Sequence, residues 1–277
     1  MDHPLITVPR DAFGAFLARG GDMQAGYIAY SMLLAIFPFL IFCVSLTGWA
    51  IGDERSAEAV GVLFEFAPIY LAEVLRPALE EVLAHDHGLF TLFIVLAIWA
   101  AMRAVEAINR AFDGIYGERD TGVWLLRKSK ALIVVIVSAI GAVVLGLSIL
   151  LAPSLIKLIE DFTQWDIPTN ITLMRYAVGI VVFYVLMWLL HWFLPNNHAQ
   201  GFPRWPGALF STLTWLIMAT GLSFYLAYSG SYSITYGALA GIVITMLFLY
   251  FSGAIILFGA ELNAALARYR ISQHGRS

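Results

Sequence analysis

Charge is scarce in this sequence. Asp, Glu, Lys and Arg make up 13% of its 277 residues, about half the share usual in a soluble domain. Hydrophobic residues reach 60%, and the mean hydropathy is +0.81. A soluble chain of this length could not clothe its surface with so few polar groups, whereas hydrocarbon asks for none over most of the surface. Cysteine is scarcer still. Cys43 stands alone inside an apolar run, which excludes an internal disulfide and a cysteine-rich metal site. HExxH, GxSxG and the glycine-rich phosphate loop are all missing, so no catalytic residue, cofactor or metal is assigned. His85, Asp86 and His87 are adjacent and therefore point in different directions on a helix, a poor metal set. Arg127, Lys128 and Lys130 form a basic run beside an apolar segment. Such a run is a topology signal, and with Trp124 as its one nearby aromatic no nucleic-acid partner is expected.

What the sequence does have is length of apolar run. Six segments, about 25–51, 89–109, 130–152, 171–194, 205–229 and 236–264, each exceed the roughly 18 residues needed to cross hydrocarbon. The expected fold is therefore all-α: a polytopic membrane protein of six transmembrane helices in a single membrane domain covering 1–277. Eleven of the sixteen lysines and arginines fall in the inner segments and three in the outer ones if the N-terminus is cytoplasmic. This positive-inside bias puts both termini inside. Asp2, Asp11 and Asp22 and the length of the first run argue against a cleaved leader.

Two stretches have the pattern of interfacial helices. In the outer segment 53–88, Glu58, Glu65, Glu73, Arg76 and Glu80 draw one polar stripe, and apolar residues occupy the other face. Residues 9–19 form a shorter amphipathic stretch on the inner side. Pro38 is expected to kink the first span. Gly237, Gly241 and Thr245 make a small-residue ridge for helix packing on the sixth. Gly221, Gly253 and Gly259 are candidates for loosening their helices.

Charge within a span costs at least roughly 2.5–3.5 kcal/mol unless it finds a partner or a wet cavity. In the second span, Arg103, Glu106 and Arg110 lie at spacings of 3 and 4 with Asp113 continuing the face and Asn109 beside it. Gln24, Tyr27 and Ser31 stripe the inner end of the first span, and Glu261 and Asn263 reach a similar depth in the sixth. Their convergence would make an inward-opening polar pocket. A purely structural alternative pairs Arg103 with Glu106 or Glu261 to hold the bundle together. If the pocket is functional, Arg103 is the expected anion contact, because a guanidinium grips phosphate or carboxylate bidentately. His191 and His198 flank an inner turn, where His191 would meet headgroups.

The stretch Ala25-Gly-Tyr-Ile-Ala-Tyr-Ser-Met-Leu-Leu-Ala-Ile-Phe-Pro38 resembles the opening motif of the YihY/BrkB family of inner membrane proteins. The segment from Arg103 through Asn109 to Tyr116-Gly117 is similar to the same family, as is Tyr236-Gly-Ala-Leu-Ala-Gly241 through Tyr250 to Gly259-Ala-Glu-Leu-Asn263. Gly26 departs from the alanine or serine expected there. The resemblance spans about residues 10–268 and implies a multi-pass protein of the bacterial inner membrane. The family's historical label, ribonuclease BN, implies tRNA processing, which the missing metal cluster opposes. Links of other members to serum resistance and envelope lipid export imply a transporter or lipid-translocating protein, with membrane lipids, an anionic lipid or a small molecule as ligand. A non-transporting envelope scaffold, docking a partner or a second copy as a homodimer, is the alternative.

Overall fold

The structure is a computed structural model that describes residues 4–51, 90–117, 125, 127–141, 170–195, 204–228 and 232–274. Seven helices hold nearly all of them: α1 (Pro4–Ala18), α2 (Gly21–Ile51), α3 (Phe90–Tyr116), α4 (127–141), α5 (Asn170–Phe193), α6 (Trp205–Tyr228) and α7 (Tyr232–His274). No strand occurs among the described residues. The outer amphipathic stretch expected at 53–88 lies outside them, as do His85 to His87 and the second half of the expected third span. The helix expected from the amphipathic stretch 9–19 begins at Pro4 rather than residue 9.

α7 is the hub. It packs against α1, α2, α3 and α6, while α2 lies along α3 and α5 lies along α6. The α2–α3 seam is built from alanine. Ala100, Ala101 and Ala104 of α3 meet Ala35 of α2 and Val135 of α4, and Ile28 joins Ala107, Ile108, Ala111 and Phe112 further inward. Small side chains let two backbones approach closely, which is the chief attraction between helices that cannot use water to drive them together.

The exterior is apolar and the interior carries the polar groups. Leu209, Leu213, Ile217 and Phe224 are exposed at spacings of 4, 4 and 7 along α6, and Ile242, Val243, Leu247 and Phe251 are exposed on α7. Ser31, Asn109, His191, Ser211, Thr212, Thr245, Ser252, Glu261 and Asn263 are buried. A soluble domain inverts this order, and extended apolar surface marks contact with lipid or another protein. Trp205–Tyr225 and Gly241–Gln273 are, among the described residues, the helices long and apolar enough to cross a membrane, and Gly179–Phe193 is a shorter apolar one.

Polar rungs fasten α6 to α7 along one face of α6. Asn263 accepts from the Gly207 backbone N–H at 2.8 Å and donates to the Arg204 carbonyl at 3.0 Å. Ser211 donates to the Ile255 carbonyl at 3.1 Å, and the Trp215 indole to Ser252 at 3.0 Å. Positions 207, 211 and 215 recur every fourth residue, so they share a face. The Gly207 N–H belongs to the first turn of α6, where backbone donors have no partner of their own, and Asn263 caps it from the neighbouring helix.

The glycines at this seam permit contact rather than loosen the helix. A Cβ on Gly207 would strike the Gly259 carbonyl and the Asn263 amide, and one on Gly259 would strike the Ser211 hydroxyl. Gly253 faces the Ala25 carbonyl and Ile28 of α2. The looser role expected for Gly253 and Gly259 is thereby corrected. Gly241 and Thr245 are buried on α7, while the surroundings of Gly237 lie outside the described side chains. α2 continues as helix through Pro38, whose side chain is also outside them. Gly259→Ala is expected to lower stability in detergent by about 1–3 kcal/mol, the usual cost of overpacking. Gly221→Ala, with open space around it, should leave the unfolding midpoint unchanged or slightly raised. Thermal melts of both variants check the contrast.

Candidate functional site

The polar residues expected to converge are divided between two places. On α3, Arg103, Glu106, Asn109 and Arg110 line one pocket, together with Trp99, Arg127 and Lys128. Its volume is about 260 Å3. α3 presents this face because its opposite side is committed to the core: Ala104, Ala107, Ile108, Ala111, Phe112 and Ile115 are all buried. The first two residues of α4, Arg127 and Lys128, supply the rest of the described lining with Trp99.

The electrostatics are one-sided. Among the described residues that line the pocket, Arg103, Arg110, Arg127 and Lys128 share it with one carboxylate, Glu106. Glu106, 12% exposed, is ion-paired to Lys128. Arg103 pairs with neither Glu106 nor Glu261. Its guanidinium lies 5.3 Å from the centre of the Trp99 ring, a cation–π contact, and among the described residues no carboxylate engages it. Asn109 is 2% exposed, and its Oδ1 has no hydrogen-bond partner. Buried polar atoms are nearly always satisfied, so an unpartnered one on a residue that lines a pocket is a feature that a ligand can explain.

The remaining residues of the expected pocket are elsewhere. Glu261 on α7 is 1% exposed and takes both of its hydrogen bonds from Arg19, each at 2.6 Å. Asn263 is committed to Gly207 and Arg204. The Gln24 amide donates to the Arg19 carbonyl at 2.9 Å, and Ser31 donates back to the Tyr27 carbonyl within α2. Tyr27 is exposed. Glu261 and Asn263 thus tie α7 to Arg19, just past α1, and to the start of α6. His191 is fully buried, not at a headgroup surface. Its Nδ1 lies 2.9 Å from the Met187 carbonyl, and its ring packs on Phe112 at 5.3 Å.

Trp99, Arg127 and Lys128 belong to the pocket although their sequence context pointed elsewhere. Trp99 could have been found, since it precedes Arg103 by one helical turn. Arg127 and Lys128 are indistinguishable from a topology signal until the fold brings α4 back over α3. Arg19 and Glu261 are 242 residues apart, and no local pattern links them. Arg204 donates to the His191 and Trp192 carbonyls at 3.3 and 3.0 Å, which satisfies orphan acceptors at the end of α5.

The Arg19–Glu261 pair makes a direct prediction. Arg19→Ala leaves a carboxylate buried without its cation and should destabilise by about 3 kcal/mol, the lower end for a broken buried pair, because Arg19 is itself 36% exposed. Adding Glu261→Gln to Arg19→Ala should recover most of that loss. A melt series in one detergent reads both changes.

Comparisons with known proteins agree on one family. The profile described as Virulence factor BrkB matches residues 12–277. Similar proteins include the ribonuclease-like protein YfkH of Bacillus subtilis, 27% identical over 93% of this chain and 94% of the relative. A UPF0761 membrane protein of Pseudoalteromonas translucida is 25% identical over 88% of this chain and 81% of its own length. Another, from Alteromonas mediterranea, is 24% identical over 93% and 88%. No solved structure matches the chain.

Proposed function

The chain belongs to the Virulence factor BrkB family and is a membrane protein, as its relatives are named; on that premise we propose that it is a transporter of anionic substrates, lipid headgroups among them, working through the α3 pocket. In this reading it crosses the bacterial inner membrane six times with both termini in the cytoplasm, and the pocket opens on the cytoplasmic side. The apolar exterior of α5, α6 and α7 and the inward bias of lysine and arginine support the topology. The observation that carries the function is the cationic excess of the pocket around an arginine that no carboxylate neutralises.

A cluster of positive charge held in a low-dielectric wall attracts and concentrates an anion. Arg103 supplies a planar donor pair matched to phosphate or carboxylate. The chemistry of phosphodiester cleavage is different. Two-metal nucleases need several carboxylates to hold their ions, whereas among the described residues this pocket offers Glu106, tied to Lys128. The name of the Bacillus relative therefore finds no counterpart in the donor set of this site.

Two measurements test the reading. In a Cys43→Ser background, Ser277→Cys should resist an impermeant maleimide in intact cells and Ser56→Cys should react; the reverse pattern would invert the topology. In proteoliposomes, headgroup-labelled anionic phospholipid should cross with wild-type protein. Arg103→Ala at matched incorporation should cut the rate by about 10-fold or more, the worth of one hydrogen bond to a charged group. Full activity in that variant would remove the pocket from the mechanism.

A further inference from the structure

The outer approach to the pocket differs from its floor. One to two turns outward from Arg103, α3 exposes Val95, Leu96 and Trp99, the last at 56%. Trp99 also lines the pocket and sits under Arg103. Lipid-facing apolar surface therefore runs along one helix face straight into the cationic cavity. A water-soluble anion has no use for that stripe, while an acyl chain beside Val95 and Leu96 would lead its headgroup to Arg103. The cavity, at about 260 Å3, holds a phosphate and a small polyol but not two acyl chains.

Asn109 narrows the headgroup further. Its open Oδ1 is an acceptor, so an anionic oxygen cannot satisfy it; the ligand must bring a donor. An ammonium is the wrong donor beside Arg103 and Arg110, which no carboxylate engages among the described residues, since it adds like charge there. A neutral hydroxyl meets both requirements. We propose, resting on the reading of this pocket as an anion site, that its ligand is a phosphodiester bearing a hydroxylated headgroup, admitted sideways from the bilayer along Val95, Leu96 and Trp99. The phosphate lies against Arg103, the headgroup hydroxyl donates to Asn109 Oδ1, and the tails stay in lipid.

Binding rather than transport tests this, so that its failure can be told from failure of the transport reading. The probes are phosphatidylglycerol, phosphatidylmethanol with the same acyl chains and charge but no hydroxyl, and water-soluble glycerophosphoglycerol. Each is titrated against the full chain in phosphatidylcholine nanodiscs. Phosphatidylglycerol should bind about 3- to 10-fold more tightly than phosphatidylmethanol, the range of a single net hydrogen bond. Asn109→Ala should erase that preference while leaving phosphatidylmethanol binding unchanged. Trp99→Ala, at an exposed position, should weaken both lipids by several-fold more than it weakens glycerophosphoglycerol, and an equal loss for all three probes overturns the guiding role of the stripe. Equal wild-type affinity for the two lipids, or a preference surviving in Asn109→Ala, overturns the headgroup assignment. Glycerophosphoglycerol binding as tightly as the lipid overturns lateral entry. The predicted binding pattern without translocation in proteoliposomes would sink the transport reading and leave this assignment standing.

Discussion

Removing a polar group from water costs several kcal/mol unless another group takes up its hydrogen bonds, and inside hydrocarbon no solvent is available to do so. The arrangement of this molecule follows from that constraint. With apolar side chains on the outside, Ser31, Asn109, His191, Ser211, Ser252, Glu261 and Asn263 are buried, and several of them find their partner on another helix. The helices are consequently held by specific polar contacts as well as by close packing. Asn263 caps α6 from α7, Arg204 caps the end of α5, and Arg19 reaches from α1 to neutralise Glu261. Glycine and alanine make these contacts possible by letting backbones come near enough for short side chains to bridge them.

The same constraint explains the position of α1. An amphipathic helix at an interface usually buries one apolar face in lipid. α1 instead uses two faces. Val8 and Ala12 pack on Ala265, with Phe258, Leu262, Leu266 and Tyr269 around them, while Ile6, Phe13 and Leu17 remain exposed at spacings of 7 and 4. The first face docks α1 on the long end of α7, and Arg19, just past its end, locks the dock by pairing with Glu261. Gly20, at φ +64°, makes the turn into α2, a conformation that glycine adopts without the steric cost paid by other residues.

The sequence revealed features repeated along one helix and concealed those made between helices. The polar face of α3 was legible because Arg103, Glu106 and Arg110 are spaced at 3 and 4, and the pocket contains all three together with Asn109. Glu261 and Asn263 were legible as polar groups in an apolar run, but the run suggested a shared pocket rather than the buried contacts they make. Their partners were not, because Arg19 and Gly207 are 242 and 56 residues distant and pairing across such gaps is set by the packing. The glycines show the same limit. Glycine in a helix is compatible with flexibility and with close approach alike, and only the Gly259 carbonyl beside Gly207 decides for approach. Arg127 and Lys128 carry a third ambiguity, since the same basic residues can anchor a helix end and line a cavity.

The two inner carboxylates separate structural polarity from functional polarity. Glu261 and Glu106 are both paired to a cation near a helix end, and sequence alone treats them as equivalents. Around Glu261 the charges balance: one arginine satisfies both oxygens, and the carboxylate is sealed beneath α1. Nothing remains there for a ligand to neutralise. Around Glu106 the arrangement differs. Lys128 pairs with it, and among the described residues no carboxylate engages Arg103 or Arg110, which lie beside an asparagine oxygen that has no donor. A fold selected only for stability would not gather like charges where each raises the cost of the others. An anion between them would relieve that cost, and this is the physical ground for the proposal that the working site lies on α3 while Glu261 serves as a structural lock on α7.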